Sequence, residues 1–174
     1  VTFPSPEDIY QVLTDEFREL YRKYAPDVHR FATYLSGDPS LADDVTSETF
    51  LRAWNSTEPI RLQSVRAYLF TIARNVYRHE IRRRSRHAEL DGSEQATGPG
   101  AHERVEQRQA LDLALAALRQ LPEADRTALL MRAFDKTPYE EIAWTLGISV
   151  TAAKVKVHRA RVRLAGMVPR EVLS

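Results

Sequence analysis

The sequence predicts an all-α protein: two small helical domains joined by a flexible linker, the C-terminal one containing a helix-turn-helix. Three observations lead there. Apolar residues recur at intervals of three and four through most of the 174 residues, and no stretch alternates as a half-buried strand would. That periodicity stops between Glu89 and about His102, where Asp91-Gly92-Ser93 and Gly98-Pro99-Gly100 supply turn and breaker residues. Near the C-terminus, two short helical patterns meet at Gly147, and the second is loaded with cations. The domains are accordingly bounded at 1–87 and 106–174, with 88–105 as the linker.

In the N-terminal domain, Phe17, Leu20, Tyr21, Tyr24, Val28, Phe31 and Leu35 fall at helical spacing, with Pro26 expected to kink or break the helix. A second helix is expected from Pro39 to Trp54, and a third from Val65 to Arg84. In the C-terminal domain, Leu111, Leu115, Leu118 and Leu121 line one helix, which Pro122 stops; another runs from Glu123 to Phe134.

The helix-turn-helix follows. Thr137 is placed to cap its first helix, with Pro138 at the first helical position and Glu140 completing a capping box. Ile142, Ala143 and Leu146 give an apolar stripe, and small Ala143 lets two helices cross closely. Gly147 supplies the left-handed backbone of a sharp turn, and Ser149 caps the second helix. On that helix Val150, Ala153, Val157, Ala160 and Leu164 face inward at helical spacing. Thr151, Lys154, Val155, His158 and Arg159 are left outward, a layout suited to the DNA major groove.

Composition narrows the function classes. Cysteine is absent, so disulfides and thiolate-bound metals are excluded. No apolar run reaches membrane-spanning length, and the N-terminus lacks a secretory layout, so a cytoplasmic protein without direct membrane insertion is expected. The five histidines are scattered without ligand spacing, and there is no Gly-rich phosphate loop. No catalytic residue, metal or cofactor is therefore expected, and the chain reads as a non-enzyme. Net charge is only +1, but its distribution is uneven. Acidic residues gather at Asp38, Asp43, Asp44 and Glu48, while arginines run from Arg74 to Arg86 and cations again from Lys154 to Arg163. Separated patches of opposite sign suggest two kinds of partner.

Each patch has its own chemistry. Asp44, Ser47, Glu48 and Leu51 share a face of the second helix, with Phe50 and Trp54 at the same spacing, one as core and the other as rim. Carboxylates beside large apolar groups suit an arginine-bearing protein surface and would be repelled by DNA. The third helix combines Tyr68, Phe70 and Tyr77 with Arg74, Asn75, Arg78, Arg82 and Arg83. Aromatic faces stack on unpaired bases while arginines hold phosphate, as single-stranded DNA requires; Phe70 and Ile72 are expected to be mainly core.

Taken in order, these segments resemble a family. Leu121-Pro122-Glu-Ala-Asp-Arg126, Tyr139-Glu-Glu-Ile-Ala143, Leu146-Gly147-Ile148-Ser149 and His158-Arg159-Ala160-Arg161 look like the promoter-binding C-terminal domain of bacterial sigma factors, most closely the extracytoplasmic-function group of the sigma-70 family. Ala42 to Trp54 resembles the helix that grips the polymerase clamp, and Ala67 to Asn75 the segment that opens promoter DNA. The resemblance implies a sigma factor that brings core RNA polymerase to a subset of promoters. It would use Asp44, Ser47, Glu48, Leu51 and Trp54 on the polymerase. Tyr68, Arg74, Asn75, Arg78, Arg82 and Arg83 would serve the minus-10 element, with the loop from about Asn55 to Ser64 capturing an extruded base. Thr151, Lys154, Val155, His158 and Arg159 would read the minus-35 element. An anti-sigma factor is an implied further partner. Ser47 stands where the family usually has glutamine, Tyr68 where it often has tryptophan, His79 where it often has aspartate, and Val155 where a small polar residue is common. The alternative is a stand-alone helix-turn-helix regulator whose N-terminal half senses or dimerises.

Overall fold

The computed structural model describes residues 6–56, 64–91 and 107–168. Among them are seven helices and no strand: α1 Pro6–Ser36, α2 Pro39–Asn55, α3 Val65–Asp91, α4 Gln107–Gln120, α5 Glu123–Asp135, α6 Tyr139–Leu146 and α7 Val150–Met167.

Helices α1, α2 and α3 form one unit. Val28, Phe31, Leu35, Leu41, Val45, Phe50, Leu69 and Phe70 are almost wholly buried among them, and the Phe31 and Phe70 rings stack at 4.4 Å across α1 and α3. Each such side chain contributes about 1.5–3 kcal/mol on removal from water. The expected break at Pro26 is absent: α1 runs through it to Ser36. Packing accounts for this, because Phe17 and Leu20 before the proline and Val28, Phe31 and Leu35 after it join the same core. Gly37, at φ +70°, turns the chain, donating its N–H to the Thr33 carbonyl at 2.7 Å. Asp38 then caps α2, its carboxylate accepting from the N–H groups of Ser40 and Leu41.

Helix α3 continues past Arg84 to Asp91 and so takes in the first residues assigned to the linker. Arginine, glutamate, alanine and leucine in this stretch are good helix formers, which prolongs the helix without an apolar stripe. The rest of the linker, and most of the loop expected to capture a base, lie outside the described residues.

Helices α4 to α7 form the second unit. Leu118, Leu121, Leu130, Met131, Ile142, Ala153, Val157 and Ala160 are buried in it, whereas Leu111 at the outer end of the α4 stripe is 46 % exposed. The turn between α6 and α7 is as expected. Gly147 sits at φ 65°, Ile148 donates to the Ala143 carbonyl at 3.0 Å, and the Ser149 hydroxyl accepts from the Ala152 N–H at 3.1 Å.

The start of α6 differs from the capping box. Pro138 itself occupies the cap position, with φ −54° and ψ 145°, and its carbonyl accepts from Glu141 and Ile142. No side chain caps this end, and Thr137 is buried one residue too early. A proline φ fits the cap and the first helical position equally, so the residue type leaves this register open.

The two units touch. Tyr34 of α1 stacks on Phe134 of α5 at 5.4 Å, and the Arg30 guanidinium lies 5.0 Å from the same ring. Helix α3 meets α5 and α6 through the polar contacts described below.

Candidate protein and nucleic-acid interfaces

Helix α2 presents a mixed acidic and apolar face. Its buried stripe of Leu41, Val45, Thr49 and Phe50 fixes the helix phase, which leaves Asp44, Ser47, Leu51 and Trp54 exposed and Glu48 half-buried. Of the aromatic pair, Phe50 is core at 2 % exposure and Trp54 is rim at 46 %, its ring edge-on to Phe17 at 4.7 Å. The acidic cluster divides by partner. Asp38 is the cap and also meets Arg84 at 3.3 Å, Asp43 meets His29 Nε2 at 2.9 Å, and Glu48 accepts from Arg52 at 2.7 Å. Asp44 has no ion pair among the described residues. Beside this face an open groove of about 670 Å³ runs between α1 and α2, lined by Tyr21, Pro26, His29, Asp43 and Ser47.

Helix α3 separates the residues that the sequence grouped together. Asn75, Arg82 and Arg83 are exposed and Arg78 is half-buried, so these form a polar edge. Phe70 and Tyr77 belong to the core, and Tyr68 is half-buried against it, so the aromatic platform reduces to Tyr68. Arg74 stands apart from this edge. It is only 5 % exposed, because it lies one helical turn after Phe70 and before Tyr77 and so faces the second unit. Its Nε and Nη2 donate to the two carboxylate oxygens of Glu123 at 2.7 and 2.9 Å, and its Nη1 donates to the Thr145 carbonyl at 3.0 Å. Thr127 adds a hydroxyl donor to Glu123 at 2.8 Å, and the hydroxyls of Thr71 and Thr145 pair at 2.6 Å. Glu141, buried on α6, accepts from the Ser64 N–H at 3.1 Å, and Arg126 donates to the Tyr77 hydroxyl at 3.4 Å. Burial raises the Glu123 carboxyl, but hydrogen bonds and charge from Arg74, with Thr127 and Arg78, outweigh it and hold the group below the usual glutamate range.

Helix α7 carries the outward set as expected. Ala153, Val157 and Ala160 are buried against the helices beneath, and Thr151, Lys154, Val155, His158 and Arg159 are exposed, Val155 at 52 %. Lys154 Nζ lies 5.7 Å from the Tyr139 ring. Underneath, Asp125 of α5 binds Lys156 and Arg159, which periodicity alone did not show; the pairs lie 31 and 34 residues apart. Burial raises the Asp125 carboxyl, and hydrogen bonds from Arg159 and Lys156 more than reverse this, leaving it below the usual aspartate range.

Among the described residues no cluster of histidines and carboxylates is built to hold a metal, and no helix is long and apolar enough to cross a membrane. Comparison with known proteins agrees with the architecture. The family description "Sigma-70 region 2" matches residues 20–87, and "Sigma-70, region 4" matches residues 111–164. The chain is 36 % identical over 162 residues to the extracytoplasmic-function sigma factor EcfG of Rhodopseudomonas palustris, covering 89 % of this chain and 86 % of that one. It is 38 % identical over 149 residues to the sigma factor SigL of Mycobacterium tuberculosis, covering 82 % and 83 %. Among solved structures, the sigma factor RpoE of Bartonella quintana, in complex with the anti-sigma factor NepR, superposes with a TM-score of 0.70 at 27 % identity, covering 91 % of this chain and 96 % of that one.

Proposed function

The chain belongs to the extracytoplasmic-function sigma factors of the sigma-70 family, alternative sigma factors that direct promoter-specific transcription, and we propose that three of its surfaces divide this work. Asp44, Ser47, Glu48, Leu51 and Trp54 on α2 dock on the clamp of core RNA polymerase. The polar edge of α3, with Asn75, Arg78, Arg82, Arg83 and Tyr68, holds the minus-10 strand once it is unpaired, and Arg74 joins it only after release from Glu123. Thr151, Lys154, Val155, His158 and Arg159 on α7 read the minus-35 duplex.

The observation that carries this reading is the opposition of two exposed faces in one chain. The α2 face joins carboxylates to Leu51 and Trp54, 57 % and 46 % exposed, whereas the α7 face is cationic. A carboxylate-rich apolar face is suited to a cationic protein groove and the other face to phosphate and base edges. The domains are assigned as 1–87 for polymerase and minus-10, and 106–174 for minus-35. The protein performs no catalysis of its own and acts in the cytoplasm, where polymerase works. An inhibitory protein is a further partner, by analogy with RpoE of Bartonella quintana, which was solved with its anti-sigma factor.

Run-off transcription tests the reading. Core polymerase plus this chain should initiate at discrete promoters with no other sigma factor present. If initiation requires a second sigma factor, the chain is a helix-turn-helix regulator instead.

A further inference from the structure

The first turn of α5 carries two carboxylates with different destinations: Glu123 reaches α3, and Asp125 lies beneath α7. Asp125 is completely buried, yet cations surround it. Lys156 Nζ donates to Oδ1 at 3.0 Å, Arg159 Nε to Oδ2 at 3.1 Å and Arg159 Nη2 to Oδ1 at 3.3 Å, while Arg163 Nη1 stands 3.9 Å from Oδ2. Neither Lys156 nor Arg163 holds its partner in two places. Arg159 does, side-on, through its Nε and Nη2 edge.

That geometry leaves a specific part of the guanidinium available. With Nε and one Nη2 hydrogen taken, the end-on fork of Nη1 and the other Nη2 hydrogen has no hydrogen bond among the described residues. The Arg159 side chain remains 48 % exposed on the outward face of α7. An arginine fork is the natural partner of the O6 and N7 acceptors of guanine in the major groove. A free arginine loses rotamer freedom when it makes that contact; one already held along its other edge has less to lose.

We propose that Asp125 is a positioning residue for promoter readout, fixing Arg159 side-on so that its end-on fork meets a guanine of the minus-35 duplex. Asp125 itself touches no DNA. The inference rests on the reading of α7 as the minus-35 helix and adds to it the base that Arg159 reads and the buried residue that aims it. The hydrogen bonds that lower the Asp125 carboxyl keep it ionised through the neutral range, so the support does not switch off at physiological pH. A purely structural ion pair, gluing α7 to α5, would act on all DNA sequences alike. A purely sequestering one, hiding cations from phosphate, would weaken all sequences and flatten the salt dependence.

The test is binding of the full chain, as holoenzyme with core polymerase, to a duplex library randomised across the minus-35 element. Arg159→Ala and Arg159→Lys should both lose preference for guanine at one position, the lysine variant despite keeping the charge. Asp125→Asn should lose about tenfold of the same preference, within the range of one bidentate base contact, and leave the other positions unchanged. In the Arg159→Ala background, Asp125→Asn should change nothing further at that position. Uniform weakening of all sequences by Asp125→Asn, or uniform tightening with a steeper salt dependence, overturns the proposal. An effect additive with Arg159→Ala also overturns it. If Arg159→Ala leaves the library profile intact, the reading of Arg159 as a base contact fails first and takes this inference with it. Should the asparagine variant not fold, Asp125→Glu keeps the buried charge and moves it by one methylene. Loss of the same guanine preference then supports the positioning role, and an unaltered profile overturns it.

Discussion

At the scale of single residues, Val155 is the side chain whose placement asks most of a partner. A valine 52 % exposed on a cationic helix face gains nothing from water, and a thymine methyl is the apolar group that a major groove offers it. Val155→Ser should therefore leave thermal stability unchanged, because little burial is lost, and reduce preference at one minus-35 position by about fourfold, the effect of one methyl-sized contact of ~0.8 kcal/mol. Melting temperature and library binding together check this; a lower melting temperature with an unaltered base preference would count against a DNA contact. The outward set was legible in the sequence because Ala153, Val157 and Ala160 mark the inner face, although spacing alone left the phase open by a residue and so left Val155 open to a place in the core. The burial of Arg74 was not foreseen, although its spacing from Phe70 and Tyr77 held the signal. Charge grouped it with the arginines that follow, whereas periodicity puts it on the buried stripe.

At the scale of elements, α2 is a helix with one face committed to the core and another to a partner. Leu41, Val45, Thr49 and Phe50 are buried, and Asp44 and Glu48 are free of that packing. Asp44→Arg combined with Glu48→Arg should keep the circular dichroism spectrum and weaken core polymerase binding by about 2–5 kcal/mol, the cost of reversed charges in a desolvated interface. Unchanged affinity in a fluorescence titration with core enzyme would move the clamp contact elsewhere. The α6–α7 turn makes a separate prediction. Gly147 holds φ 65°, and an added Cβ meets nothing within 4 Å, so the penalty of Gly147→Ala is backbone strain alone. Urea unfolding should show a loss of about 1 kcal/mol; a larger loss would mean that the turn is packed more tightly than its open surroundings indicate. Helix existence and this turn were readable from local residues, whereas two boundaries were not. Pro138 suits two cap registers, and the polar end of α3 forms helix without an apolar stripe to announce it.

At the scale of the whole molecule, the contact between the two units was hidden from sequence reasoning because its partners are far apart in the chain. Arg74 and Glu123 are separated by 49 residues, and Thr71 and Thr145 by 74, distances over which helical periodicity says nothing. The contact engages a residue expected on promoter DNA, so closure of the units and use of Arg74 on a single strand exclude each other. Closure also has a pH dependence. The Glu123 carboxyl is lower when paired than its ordinary 4.5, so its contribution is complete above that value and fades as pH falls through the lowered one. The absence of cysteine allows a direct measurement, because Asn55→Cys and Arg161→Cys would place a donor and an acceptor dye on exposed sites of the two units. Glu123→Gln should lower transfer efficiency at pH 7, since it removes a charge-assisted pair contributing about 2 kcal/mol. The unsubstituted pair should open only in acid, with helical circular dichroism retained, and the Glu123→Gln protein should show little further change there. Equal efficiency in the two proteins at neutral pH would mean that Tyr34, Phe134 and the remaining contacts hold the units together without the Arg74–Glu123 pair.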